Sequence, residues 1–101
     1  MFKLVDVPEG YILSNPNRGK LGVTQVDYID YIEIVMKFVD TGKPYMMVEI
    51  IDRDPWLTGN VFITRLRTAI DLAGVRHIVR AGYVSKDRES HFCLYRRDMG
   101  Y

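Results

Sequence analysis

The chain has 101 residues, 48% of them hydrophobic and 27% charged, a composition that suits a globular domain and excludes a disordered or low-complexity tract. The formal net charge of +1 conceals an asymmetry: residues 1–57 carry six Lys/Arg against nine Asp/Glu, a balance of −3, whereas residues 58–101 carry eight against four, a balance of +4. A single cysteine, Cys93, excludes an internal disulfide, and the first apolar run is broken by Asp6 and Pro8, so neither a signal peptide nor a membrane span is expected and the chain is placed in a cytoplasm.

Phe2 to Val7 reads as a first strand, Pro8-Glu9-Gly10 as a turn, and Tyr11 to Ser14 as a short return strand forming an N-terminal hairpin. Asn15 to Gly22 reads as a basic loop carrying Arg18 and Lys20. Its Gly19-Lys20 pair is no phosphate loop, because the preceding glycine, Gly10, is too far upstream and Leu21 stands where a hydroxyl would hold magnesium. Thr24 begins a helix with Asp27 as an imperfect capping box; Ile29, Ile32, Val35, Met36 and Val39 make its apolar stripe, and Tyr28, Tyr31, Ile34 and Phe38 widen the arc. Gly42 and Pro44 stop it.

Tyr45 to Ile51 is the clearest strand, with Met46, Val48 and Ile50 on one side and Glu49 on the other. The connection Asp52 to Asn60 contains Pro55 and Trp56, the latter either a plug over the core or an exposed anchor. Phe62, Ile63, Leu66, Ala69, Ile70 and Ala73 then recur at helical spacing, with Thr58 or Asn60 as the cap and Gly74 as a left-handed stop on which Val75 folds back. Arg76 to Ser85 and His91 to Arg97 read as two strands joined by the polar turn Lys86 to Ser90, with Gly82 marking a bulge or strong twist. The expectation is a single α+β domain over residues 1–101, order ββαβαββ, with two helices packed on a small, mostly antiparallel sheet.

Two constellations suggest metal chemistry and lack its usual companions. His91 and Cys93 share a strand face near His77, but a structural zinc site normally has four ligands. Glu49, Asp52 and Asp54 cluster at a strand end without a companion lysine, and Cys93 with His91 lacks an orienting third group. No catalytic residue, metal ligand or cofactor is therefore assigned.

The basic residues carry more information. Arg65 and Arg67 fall on the second helix, Arg76 and Arg80 on the first hairpin strand, Lys86 and Arg88 at the tip, Arg96 and Arg97 at the exit. A helix followed by a two-stranded wing with positive charge at its tip is similar to a winged helix-turn-helix, which presents its helix to a DNA groove and its wing to phosphate. The rival expectation is a protein-binding inhibitor or adaptor acting through Tyr31, Ile34 and Trp56, or by pairing an edge strand.

Three segments, Phe38-x-x-Thr41-Gly42, Leu66-Arg67-x-Ala69-Ile70-x-x-x-Gly74 and a basic hairpin ending Leu94-Tyr95-Arg96, resemble a pattern of small phage-encoded proteins of unassigned function over residues 28–97. The resemblance implies a small intracellular regulatory or host-interfering protein and no enzyme; it assigns no site residue and leaves the first 22 residues outside. The expected partners are nucleic acid, DNA first, or a host protein, with no membrane, and the chain acting as a monomer or homodimer.

Overall fold

The computed structural model of the chain describes residues 2–13, 28–51 and 57–101. Helix α2 (Gly59–Leu72) shows how directly local chemistry sets an element here. The Thr58 hydroxyl accepts from the Val61 N–H at 3.3 Å, satisfying one of the donors a helix start leaves free. At the other end Gly74 adopts φ 72°, the Val75 N–H reaches the Ile70 carbonyl at 3.2 Å and the Gly74 N–H reaches Asp71 at 3.1 Å, the two bonds of a Schellman stop. Phe62, Ile63, Leu66, Ala69 and Ile70 are buried along one stripe, as their spacing predicts.

Helix α1 (Ile29–Thr41) is phased differently from the expectation. Tyr31, Ile34, Val35 and Phe38 are its buried residues, whereas Ile29 is 68% and Met36 36% exposed. Apolar residues occupy more than half of this helix's circumference, so two phases satisfy the helical period. The one chosen buries the larger rings of Tyr31 and Phe38, and area decides. Gly42 closes the helix at φ 70°, its N–H bonded to Val39 at 3.2 Å. The Thr24 start and its capping box lie outside the described residues.

Strands β1 (Phe2–Val5), β2 (Ile12–Leu13), β3 (Tyr45–Ile50), β4 (Val79–Lys86) and β5 (Glu89–Arg96) form one antiparallel sheet in the order β1-β3-β5-β4-β2, followed by a single 3-10 turn at Arg97–Met99. The architecture is α+β with two helices and the order ββαβαββ. No N-terminal hairpin exists, however: β1 pairs with β3 and β2 with β4, at opposite edges. Turn residues at 8–10 bend the chain without dictating its partners, and both short strands find longer neighbours. Crossing four strand spacings of about 4.8 Å takes roughly 19 Å, close to the ~23 Å that the seven steps from Val5 to Ile12 can span. The link crosses the sheet face away from the helices and lays Val7 and Tyr11 on it.

Both sheet faces bury apolar surface. The helices cover Met46, Val48, Val79, Ala81 and Leu94, with Phe92 packed against them; the opposite face buries Met47, Val84, Cys93 and Tyr95 beneath Val7, Tyr11 and Tyr45. Two expectations about the hairpin are corrected. Its turn is not Lys86 to Ser90 but the two residues Asp87 and Arg88, both in the left-handed region at φ 51° and 70°, with Lys86 paired to Glu89. Gly82 makes no bulge: it pairs in register with Cys93, and the Tyr95 ring, directly across from Arg80, reaches past that position to donate its hydroxyl to the Tyr83 carbonyl. Residues 76–78 belong to the turn that follows α2 and not to β4.

Leu66 is fully buried beneath α2, so Leu66→Ala should cost about 2 to 5 kcal/mol, read as a lowered denaturation midpoint in urea. A variant as stable as the parent would place the stripe elsewhere. Arg88 occupies a position where glycine is relaxed, so Arg88→Gly should instead stabilise the fold by about 1 kcal/mol, measured the same way.

Candidate nucleic-acid interface

The sheet order puts an excess of each charge on a different flank. Asp6 after β1, Asp30, Glu33 and Asp40 on α1 and Glu49 on β3 outnumber Lys3, Lys37 and Lys43 toward one flank, while Arg67, Arg76, Arg80, Lys86, Arg88 and Arg97 outnumber Asp71, Asp87 and Glu89 along α2 and the β4 hairpin at the other. The sequence asymmetry thus becomes a spatial one.

The β4 edge gathers the densest group of cations. Residues whose backbone faces β5 alternate with residues whose backbone faces outward, and the Arg97 N–H bond to Ile78 sets Val79, Ala81 and Tyr83 as the outward ones. All three outward carbonyls accept from side chains: Val79 from Arg97 Nε at 3.4 Å, Ala81 from Arg67 Nη2 at 3.4 Å, and Tyr83 from the Tyr95 hydroxyl. Between Arg67 and Arg97, on the face away from the helices, sits Arg80, only 6% exposed, with its guanidinium carbon 3.9 Å from the centre of the Tyr95 ring and its Nε donating to the Tyr101 carbonyl. Burial lowers the Arg80 pKa, the Tyr95 phenol opposes that shift, and the positive charges of Arg97 and Arg67 lower it further. Burial likewise lowers that of Arg67. Among the described residues neither Arg67 nor Arg97 lies within ion-pair distance of a carboxylate.

Other members of the expected set are drawn elsewhere. Arg65 points to the opposite side of α2, where its Nη1 donates to the Tyr31 hydroxyl at 3.2 Å. Arg96 forms a two-pronged pair with Asp98 at 2.9 and 2.7 Å and donates to the Val39 carbonyl at 3.4 Å, so it serves the C-terminal end of α1, where a cation complements the helix dipole. That pairing raises the Arg96 pKa and holds the Asp98 carboxyl below its ordinary value. Arg76 pairs with Asp71 at 3.8 Å and, with His77 and Arg97, lines an open groove after α2. Lys86 and Arg88 stand exposed at the hairpin tip, Lys86 Nζ lying 5.8 Å from the Tyr11 ring centre. The exposed and edge-lying cations therefore fall at two places, the β4 edge and the tip, along a strand whose seven steps from Val79 to Lys86 span roughly 23 Å.

Two of the three residues expected on a protein-binding patch are turned inward. Tyr31 and Ile34 are 6% and 4% exposed, both belong to the core, and the Tyr31 ring packs against Phe2 and Phe62, so these two side chains offer a partner little surface. Trp56, Asp52 and Asp54 lie outside the described residues. His91 and Cys93 share the second face, but His77 sits beyond the far end of β4, and among the described residues no three His, Cys, Asp or Glu side chains gather to hold a metal. Cys93 is fully buried, and burial pushes its thiol up to about 12, so it stays protonated and packs as a small apolar group.

Tyr95, which with Tyr83 and Phe92 reads in the sequence as a ring able to stack on single-stranded bases beside the arginines, is instead fully buried, and its hydroxyl and ring organise the β4 edge. Among the described residues no helix is long and apolar enough to cross a membrane. Comparison with known proteins finds no matching family model, no matching curated protein and no matching solved structure.

Proposed function

We propose that the chain is a small non-enzymatic binding protein of the phage-type regulatory or host-interfering kind, which contacts nucleic acid along the β4 edge and the hairpin tip. The observation that carries this reading is the gathering of arginines along one strand edge: Arg97 and Arg67 donate to the Val79 and Ala81 carbonyls, two residues apart, and Arg80 lies on the strand between those positions. Like charges held together oppose folding, and a phosphate backbone laid along them relieves that repulsion while releasing its own counterions. Arg67 and Arg97 are the natural phosphate ligands: each spends one long hydrogen bond on a carbonyl and keeps the remainder of its fork for an anion. Arg80, buried under Tyr95, holds the edge in place and contributes field without contact. Arg65 and Arg96 serve the fold in this reading, and α2, lying flat on the sheet, presents its Arg67 side and not its length to the duplex.

The tip supplies the second contact. Arg88 occupies a strained backbone position at an exposed turn, a cost of order 1 kcal/mol that the fold itself does not require. Reversing the tip with Lys86→Glu and Arg88→Glu should weaken binding of duplex and single-stranded DNA alike and flatten the salt dependence by about one unit of slope for each lost phosphate contact. Arg88→Gly should move the two observables in opposite directions, raising stability and lowering affinity. Unchanged affinity in a folded tip variant, or affinity indifferent to salt, would remove the nucleic-acid reading.

A further inference from the structure

The two long flanks of the sheet are finished differently. On β4 the outward carbonyls of the 79–83 segment are occupied by side chains, whereas β1 at the opposite flank carries no such cover. The Arg96 N–H bond to the Pro44 carbonyl fixes which backbone groups of β3 face β5, so Tyr45, Met47 and Glu49 turn theirs toward β1. Val5 and Lys3, opposite Met47 and Glu49, use their groups on β3, and the amides and carbonyls of Phe2 and Leu4 point outward. Among the described residues none of the four residues of β1 bonds along that outer edge. It carries no proline, and its charge is confined to Lys3 and the neighbouring Asp6.

Beside this edge runs an open groove lined by Phe2, Asp30, Glu33, Ile34 and Lys37, which brings one side of α1 next to the bare strand. Along that side the charges are ordered, acidic at Asp30 and Glu33 and basic one turn later at Lys37. Two copies of α1 placed antiparallel would set the acidic half of each against the basic residue of the other. Placed parallel they would set like against like. We propose that the outer edge of β1 is a self-association surface, where β1 of a second copy adds antiparallel while the two α1 helices lie side by side, Lys37 of each facing Asp30 and Glu33 of the other. The Glu33–Lys37 pair within each helix, 3.6 Å apart and largely exposed, contributes little and can exchange partners freely. A two-fold axis through β1 makes the contact isologous, so assembly stops at a dimer with the basic flanks outermost. This inference does not depend on nucleic-acid binding.

The test is sedimentation of the full chain over a concentration series, with two charge variants on the exposed side of α1. Wild-type chain should pass from monomer to dimer as concentration rises. Lys37→Glu alone, and Asp30→Lys with Glu33→Lys alone, should each weaken the dimer by about tenfold or more through like-charge contact, and an equimolar mixture of the two should restore it as a heterodimer. The Leu4 amide should exchange rapidly at low concentration and become protected as the dimer forms. A monomer at every concentration up to about 1 mM, a dimer indifferent to both variants, or a Leu4 amide protected at all concentrations would each overturn the proposal.

Discussion

The register of the β4–β5 hairpin is the constraint on which the rest depends. β5 is the central strand, its partner residues alternate between the two buried faces, and a slip by one residue would send Phe92 and Leu94 to the face away from the helices and bring Cys93 and Tyr95 under them. The two-residue turn at Asp87 and Arg88 fixes that register, since such a turn leaves no slack for another pairing. It requires positive φ at both positions, and neither residue is glycine. Stability is thus given up at the one place where the geometry of everything downstream is decided, from the alignment of Tyr95 against Arg80 to the delivery of Arg97 to the Val79 carbonyl.

What could be read from the residues was what local chemistry controls. Helix α2 was legible because Thr58 and Gly74 each have one good structural use and the stripe between them is narrow. α1 was legible as a helix but not in its phase, because its apolar arc is too wide for periodicity to choose and only packing against Phe2 and Phe62 decides. β1 and β2 looked like a hairpin because a turn lies between them; their true partners come from strands that are close in space only after the helices have folded back. Gly82, which suggests a bulge in isolation, is an ordinary paired residue beside a crossing tyrosine ring.

The site divides along the same line. Excess positive charge after residue 57 was visible in composition, but its sorting was not. Arg65 and Arg67, two residues apart, leave α2 on different sides, one for the Tyr31 hydroxyl and one for the Ala81 carbonyl, because a two-residue step turns a helix by more than half a circle. Arg96 and Arg97 diverge for a different reason: adjacent residues at a strand end face opposite ways, so Arg96 meets Asp98 and the end of α1 while Arg97 turns to the β4 edge. The eight basic residues therefore yield one dense group of three, an exposed tip of two, two that serve the fold, and Arg76, which pairs with Asp71 beside the groove after α2.

The unequal treatment of the two flanks connects charge to topology. A strand edge with free carbonyls invites further strands, and arginine is suited to closing one, since it can satisfy a carbonyl and still offer charge to solvent. On β4 two of the side chains that cap the outward carbonyls are arginines, so closing the edge also concentrates positive charge along it. On the other flank, among the described residues, no side chain caps an outer carbonyl of β1, although Lys3 on that strand and Lys37 in the groove beside it carry donors. In a pairing of two copies through β1 each copy would use its own β1 edge, so that surface would leave no β1 edge free for a third copy.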